Sequence, residues 1–173
     1  MSFIARILES FWKRGQKAAG VKGVNSVESE SFRVKVPSNW RLNKNSEGSV
    51  IECQSMDETK GLYISIFQNQ KFVTNEAWIL EQMQFEIDKL LAMEGQSFKL
   101  LNQRIYQSGK LWIGEWDGLS DPTQYRIVTK NMLKGAKLIR MSFHDYQFES
   151  FEKSDAIRDL IFESFEVKTA FYF

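Results

Sequence analysis

The sequence predicts an α+β fold: an antiparallel β-sheet flanked by helices, preceded by an N-terminal helical arm. Three observations carry this expectation. Gln124 to Asp145 reads as one long hairpin, two alternating apolar and polar runs joined at a turn around Lys134 and Gly135. The remaining strand-like runs also come in hairpins instead of alternating with helices, which points to antiparallel pairing. Inside the domain, helical periodicity is confined to two stretches, one opening at Asn75 and one near Ser154.

The elements follow in order. Phe3, Ile4, Ile7, Leu8, Phe11 and Trp12 fall at i, i+3, i+4, i+7 spacing, with Arg6, Lys13, Arg14 and Lys17 elsewhere, so Phe3 to Lys17 is expected to be a short amphipathic helix. Three roles are open to it: docking on its own domain, binding another protein through Phe11 and Trp12, or weak contact with an anionic membrane surface. Gly20 to Glu30, rich in Gly, Ser and Val, reads as a linker. The arm and linker are assigned to residues 1–24, and the α+β domain to residues 25–173.

Phe32 to Val36 alternates cleanly and stops at Pro37. Trp40 and Leu42 continue in extended form, Asn43 to Gly48 turn, and Ser49 to Gln54 and Leu62 to Gln68 form the next strands, separated by a turn from Met56 to Gly61. Asn75 is expected to cap a helix that runs to about Met93 and ends at Gly95. On a helical wheel Leu80, Met83, Ile87, Leu90 and Leu91 form its buried face, and Trp78 and Phe85 fall opposite, beside Gln82 and Lys89. Phe98 to Tyr106 and Leu111 to Asp117 read as a hairpin turning at Ser108-Gly109. After the long hairpin, Ser154 is expected to cap a second helix with Ile157, Leu160 and Ile161 on its buried stripe. Ser164 to Val167 then returns as a short strand, before an aromatic tail.

Composition narrows the function classes. A chain of 173 residues is of one-domain length, and its 43% hydrophobic and 26% charged residues are those of an ordinary globular protein. A net charge of +1 gives no global field for nucleic acid. Cys53 is the sole cysteine, which excludes a disulfide within this chain and a cysteine zinc cluster; in a strand pattern it reads as a small buried hydrophobe. Arg6 and Glu9 interrupt the N-terminal apolar run, so no signal peptide is read there, and a cytoplasmic location is the simplest expectation. No cofactor or metal site is expected.

An opening strand ending in Val36-Pro37-x-x-Trp40, a chain of this element order, and a closing helix that leads into Ser164-Phe165-x-Val167 resemble the PsbP/Mog-like fold family, which includes the bacterial DcrB-like proteins. The resemblance spans about residues 31 to 167 and rests on short, mostly structural motifs. It implies an α/β/α sandwich. It also implies a protein-binding role, since members assist photosystem assembly, bind a small GTPase, or chaperone or neutralise bacterial secretion effectors. It supplies no catalytic residues.

The residues that could carry chemistry read the same way. His144 is the only histidine, and its neighbour Asp145 points to the other face of a strand, so no Ser-His-Asp arrangement can converge there. Glu115, Asp117 and Asp121 form an acidic region that reads as turn chemistry, and Gly109, Gly114 and Gly118 match no phosphate loop. Trp112 and Trp116 share a face and are expected in the core. On the long hairpin, Tyr125, Ile127 and Thr129 are grouped with Lys137, Ile139, Met141 and Phe143. Arg126, Val128 and Lys130 are grouped with Leu138, Arg140 and His144 as a basic face. Such a face is half-solvated, covered by the N-terminal helix, or a recognition surface. Trp78 and Phe85 are covered either by the arm or tail, or by a partner.

The expectation for function is a non-enzymatic protein-binding protein: a bacterial immunity protein that neutralises a cognate secreted toxin by occluding its surface. Trp78, Phe85, Arg126, Lys130, Arg140, His144, Phe11 and Trp12 would contact the toxin. The alternatives are an effector-associated secretion chaperone and a protein that binds a small ligand or a membrane surface.

Overall fold

The computed structural model describes residues 20–44, 50–68, 75–95, 97–135 and 137–168. The expected arm at Phe3 to Lys17, including Phe11 and Trp12, lies outside the described residues, as do most of the turn after Asn43 and the tail beyond Lys168. Among the described residues the architecture is α+β, with antiparallel sheets and two helices. The chain divides into two compact units, one formed by residues 1–41 and 149–173, the other by residues 42–148.

The first unit holds a three-stranded antiparallel sheet in the order β1 (Val24–Glu28), β2 (Phe32–Pro37), β10 (Glu166–Val167), and the helix α2 (Phe151–Glu163). The segment read as a linker is therefore partly a strand. Its sequence, Val-Asn-Ser-Val-Glu, buries only Val27, so alternation could not reveal it; its order comes from the ladder to β2. Ser29 holds the connecting turn, its hydroxyl accepting from the backbone N–H groups of Ser31 and Phe32. Phe32, Val34, Val36, Leu160 and Ile161 are buried.

Ser150, not Ser154, caps α2, accepting from the Lys153 N–H in extended geometry. Ser154 lies one turn further on, fully buried, and its hydroxyl has no hydrogen-bond partner. Past the helix end, the Ser164 hydroxyl accepts from the Lys35 N–H at 2.8 Å and tethers α2 to β2, and Phe165 stacks on Phe32 with ring centroids 5.3 Å apart. The Ser-Phe-x-Val motif thus serves to dock the closing helix.

The boundary between the units falls within β3 (Trp40–Lys44). The seven-stranded sheet follows the order β3, β4 (Val50–Ser55), β5 (Lys60–Gln68), β9 (Lys137–Asp145), β8 (Tyr125–Lys134), β7 (Leu111–Ser120), β6 (Phe98–Ser108). The last four strands form a meander whose turns use Gly109 and Gly135 at positive φ. Between β5 in the middle and β6 at the edge, helix α1 (Glu76–Leu91) carries the chain across one face. Asn75 caps it as expected, accepting from the Trp78 N–H at 3.0 Å. α1 packs on β6, β7 and, less extensively, β8.

Its buried stripe is Ile79, Met83, Ile87 and Leu90. Leu80 and Leu91, expected inside, are 47% and 48% exposed. Strand β7 explains the seating. On the helix-facing side it alternates Trp112, Gly114, Trp116, Gly118, so the glycines leave hollows between the indoles. A Cβ on Gly114 would lie 2.2 Å from Met83 Sδ, and one on Gly118 would lie 2.8 Å from Leu90 Cδ2. Trp116 is buried as expected, Trp112 is half-buried, and the two flank the hollows the helix enters.

Candidate functional site

The hairpin register decides which candidate residues meet. Arg126 pairs with Asp145, Ile127 with His144, Lys130 with Met141 and Asn131 with Arg140. Arg126 and Lys130 therefore lie on one face of the sheet, and Arg140 and His144 on the other, the face toward α1. The expected common basic face does not exist. Lys134 pairs with Lys137 across a two-residue turn, so partner numbers sum to an odd value. Residues of the same parity on the two strands must then point to opposite sides.

Arg126 and Lys130 are committed elsewhere. Arg126, 1% exposed, grips Asp117 with Nε at 3.0 Å and Nη2 at 2.6 Å, and its guanidinium lies 5.7 Å from the Phe148 ring centroid. Lys130 pairs with Glu115 at 3.1 Å. Burial pushes the Glu115 carboxyl up, but the Arg104 hydrogen bond, the Lys130 ammonium and the Tyr106 hydroxyl outweigh it and hold the pKa below the ordinary carboxylate value. The acidic region is thus an ion-pair network. Asp121 closes it at the rim with Lys99, at 2.5 Å. Trp78 is also withdrawn, half-buried against Ile79, Leu133 and Leu138.

Phe85, Arg140 and His144 do come together. Where α1 leaves the face uncovered, a cleft of about 670 Å³ opens between the C-terminal half of the helix and strands β4, β5, β9 and β8. The helix contributes Phe85, Glu86, Lys89 and Leu90, and Met93 follows just past its end, so that Phe85, Lys89 and Met93 stand at i, i+4 steps. The sheet contributes Tyr63, Ser65, Trp116, Tyr125, Thr129, Arg140, Ser142 and His144, and Tyr146 follows the end of β9.

The floor is built from paired polar groups. Tyr63 and Tyr146 share a hydrogen bond at 2.8 Å, Thr129 and Ser142 at 3.0 Å, and Tyr125 and His144 Nδ1 at 2.6 Å. Tyr125 stacks on Tyr146 with centroids 5.2 Å apart, and the Tyr63 ring meets His144 edge-on at 4.7 Å. Burial, helped by the nearby Arg140 charge, lowers the His144 pKa to about 4, so the ring is neutral at pH 7. Burial raises Tyr125 and, with the Tyr63 hydrogen bond, Tyr146; both stay protonated.

Glu86 is the hub of the cleft. It accepts from Trp116 Nε1 at 3.0 Å and Asn131 Nδ2 at 2.8 Å, and lies 3.4 Å from an Arg140 guanidinium nitrogen. Sequence reasoning missed it, although a signal was present: a carboxylate beside Phe85, in phase with Met83, Ile87 and Leu90. Tyr63 and Tyr146 gave no comparable signal, because only the β5–β9 pairing brings them together. Among the described residues no group of three His, Cys, Asp or Glu side chains is placed to hold a metal ion, and no helix is long and apolar enough to cross a membrane. Cys53 is fully buried.

No protein-family model matches this sequence, and no curated protein matches it either. Its architecture does have solved counterparts. The solution structure of cyanobacterial PsbP (CyanoP) from Synechocystis sp. PCC 6803 superposes with a TM-score of 0.62 at 12% identity, covering 86% of this chain and 95% of that one. A crystal structure from Bacteroides thetaiotaomicron VPI-5482 reaches a TM-score of 0.50 at 16% identity, over 80% of this chain and 46% of the other. At such identities the likeness concerns the fold alone, and the chain has a PsbP-like α+β fold.

Proposed function

We propose that this chain is a non-enzymatic binding protein that holds a protein partner in the cleft beside α1. The observation that carries the reading is the contrast between rim and floor. Phe85 and Met93 stand at the rim 56% and 47% exposed, while Tyr63, Tyr146, Thr129, Ser142, Tyr125 and His144 of the floor pair with one another. Exposed apolar groups around a concave, already satisfied floor gain most from being covered by another chain. Acid–base or nucleophilic chemistry would instead need a base free to take a proton. Glu86 is held by its donors, and His144 Nδ1 is engaged with Tyr125.

In its finer form the partner is a secreted toxin, occluded by a cytoplasmic immunity protein, or an effector escorted by a secretion chaperone. The PsbP-like fold is compatible with either role. The test compares capture by the full chain with capture by two double variants. Phe85→Asp/Met93→Asp alters the rim; Leu80→Asp/Leu91→Asp alters equally exposed leucines of the same helix outside the cleft. The stoichiometric partner of the wild type is expected to be lost from the first variant and kept by the second. Retention by the rim variant would overturn the reading.

A second reading, a small-molecule binder, is favoured by the cleft volume of about 670 Å³, within the usual range for such sites. Native mass spectrometry of the purified full chain would then show a bound mass that the rim variant lacks.

A further inference from the structure

The charges of the cleft do not balance. Glu86 is balanced by Arg140 and hydrogen-bonded by Trp116 and Asn131, and His144 carries no charge at pH 7. That leaves Lys89. Its ammonium lies 4.1 Å from the centroid of the Phe85 ring, one helical turn back, and it makes no ion pair with any of the described residues. The rim therefore presents an aromatic ring and an uncompensated cation side by side.

We propose that the cleft recognises an acidic, aromatic-anchored segment of its partner protein: an aromatic side chain packs between Phe85, Met93 and the tyrosine floor, and an adjacent carboxylate meets Lys89. This rests on the cleft being the binding site, as argued above. An exposed ion pair alone contributes little, but the entering ring excludes water from Lys89 and strengthens its attraction to a carboxylate. A basic anchor is disfavoured on both counts, since Lys89 repels it and Glu86 is already spent. The tyrosine and histidine rings of the floor offer faces and edges for offset or edge-on ring packing.

The test is fluorescence anisotropy of the full chain with a labelled, end-blocked peptide of core Asp-Phe-Glu-Trp, its Asn-Phe-Gln-Trp isostere, and a Lys-Phe-Lys-Trp version. The acidic peptide is expected to bind, the neutral isostere about tenfold more weakly, and the basic one not to saturate. Lys89→Glu should abolish the preference for acid, Lys89→Arg should keep it, and Phe85→Ser should weaken all binding. Lys89 and Phe85 lie on the exposed side of α1, so thermal melts of these variants should overlay the wild type. Equal affinity for the acidic and neutral peptides, no binding of any peptide, or indifference to Lys89→Glu would each overturn the inference. Partner capture that still depends on Phe85 and Met93 would leave the cleft reading standing, so the two failures are distinguishable.

Discussion

On the face of the seven-stranded sheet away from α1, Arg126 meets Asp117, Lys130 meets Glu115 and Lys60 meets Asp145, among Leu62, Ile64, Met141 and Phe143. On the helix face, Glu86 gathers Trp116, Asn131 and Arg140, and His144 sits neutral among three tyrosines. The first set is closed: each charge meets an opposite charge. The second leaves Lys89, Phe85 and Met93 at an open rim. The difference teaches that a charged side chain in a sheet must be assigned to a face before it is assigned a role. Arg126 and Arg140 look alike in the sequence, yet one is a structural strut and the other lines a cleft.

The largest effect should come from the closed face. Asp117→Ala removes the bidentate partner of a guanidinium that is 1% exposed, and should lower stability by about 3 kcal/mol, read by urea denaturation. A change within a few tenths of a kcal/mol would show that the pair is not a strut. Next comes the seating of the helix. Gly114→Ala forces Met83 to shift from a packed position against β7, and is expected to cost about 2 kcal/mol and to weaken partner binding, because α1 forms one wall of the cleft. An unaltered melt would mean that Met83 simply swings aside.

The third effect is graded with pH and is small near neutrality. The His144 pKa is lowered from 6.5 to about 4 in the folded chain, so between those values the unfolded chain binds more protons. The stabilising contribution is complete above pH 6.5 and declines as pH falls toward 4, by at most about 1.4 kcal/mol per pH unit. His144→Gln should flatten the pH dependence of stability between pH 6.5 and pH 4.5. An identical slope in both proteins would place the imidazole in contact with water.

Much of the fold was legible because alternation and turn chemistry are local. Gly109 and Gly135 marked hairpin turns, Asn75 marked the start of α1, and the closing Ser164-Phe165-x-Val167 marked the docking of α2. What was not legible depends on long-range pairing or on a phase of one residue. The polar strand β1 exists only by its ladder to β2, and the separation into two sheets follows from which strands find partners after Pro37. Ser150 and Ser154 stand one helical turn apart, so either could open the same periodic run; the structure places the cap at Ser150. The basic face vanished because a two-residue turn inverts parity. Of the expected contact residues, Phe85, Arg140 and His144 proved to share a cleft. Its hub, Glu86, was marked only by a carboxylate in phase with a buried stripe.

The cleft account is tested most directly by methyl NMR of the full chain labelled at its six methionines, during titration with the partner captured by the wild type. Met93 lines the cleft, Met56 lies exposed in the turn between β4 and β5, and Met132 and Met141 are buried on the opposite face. The account predicts that the Met93 methyl signal moves or broadens while those of Met56, Met132 and Met141 stay in place. A response at Met56, or at the opposite-face pair, with Met93 unmoved would contradict it.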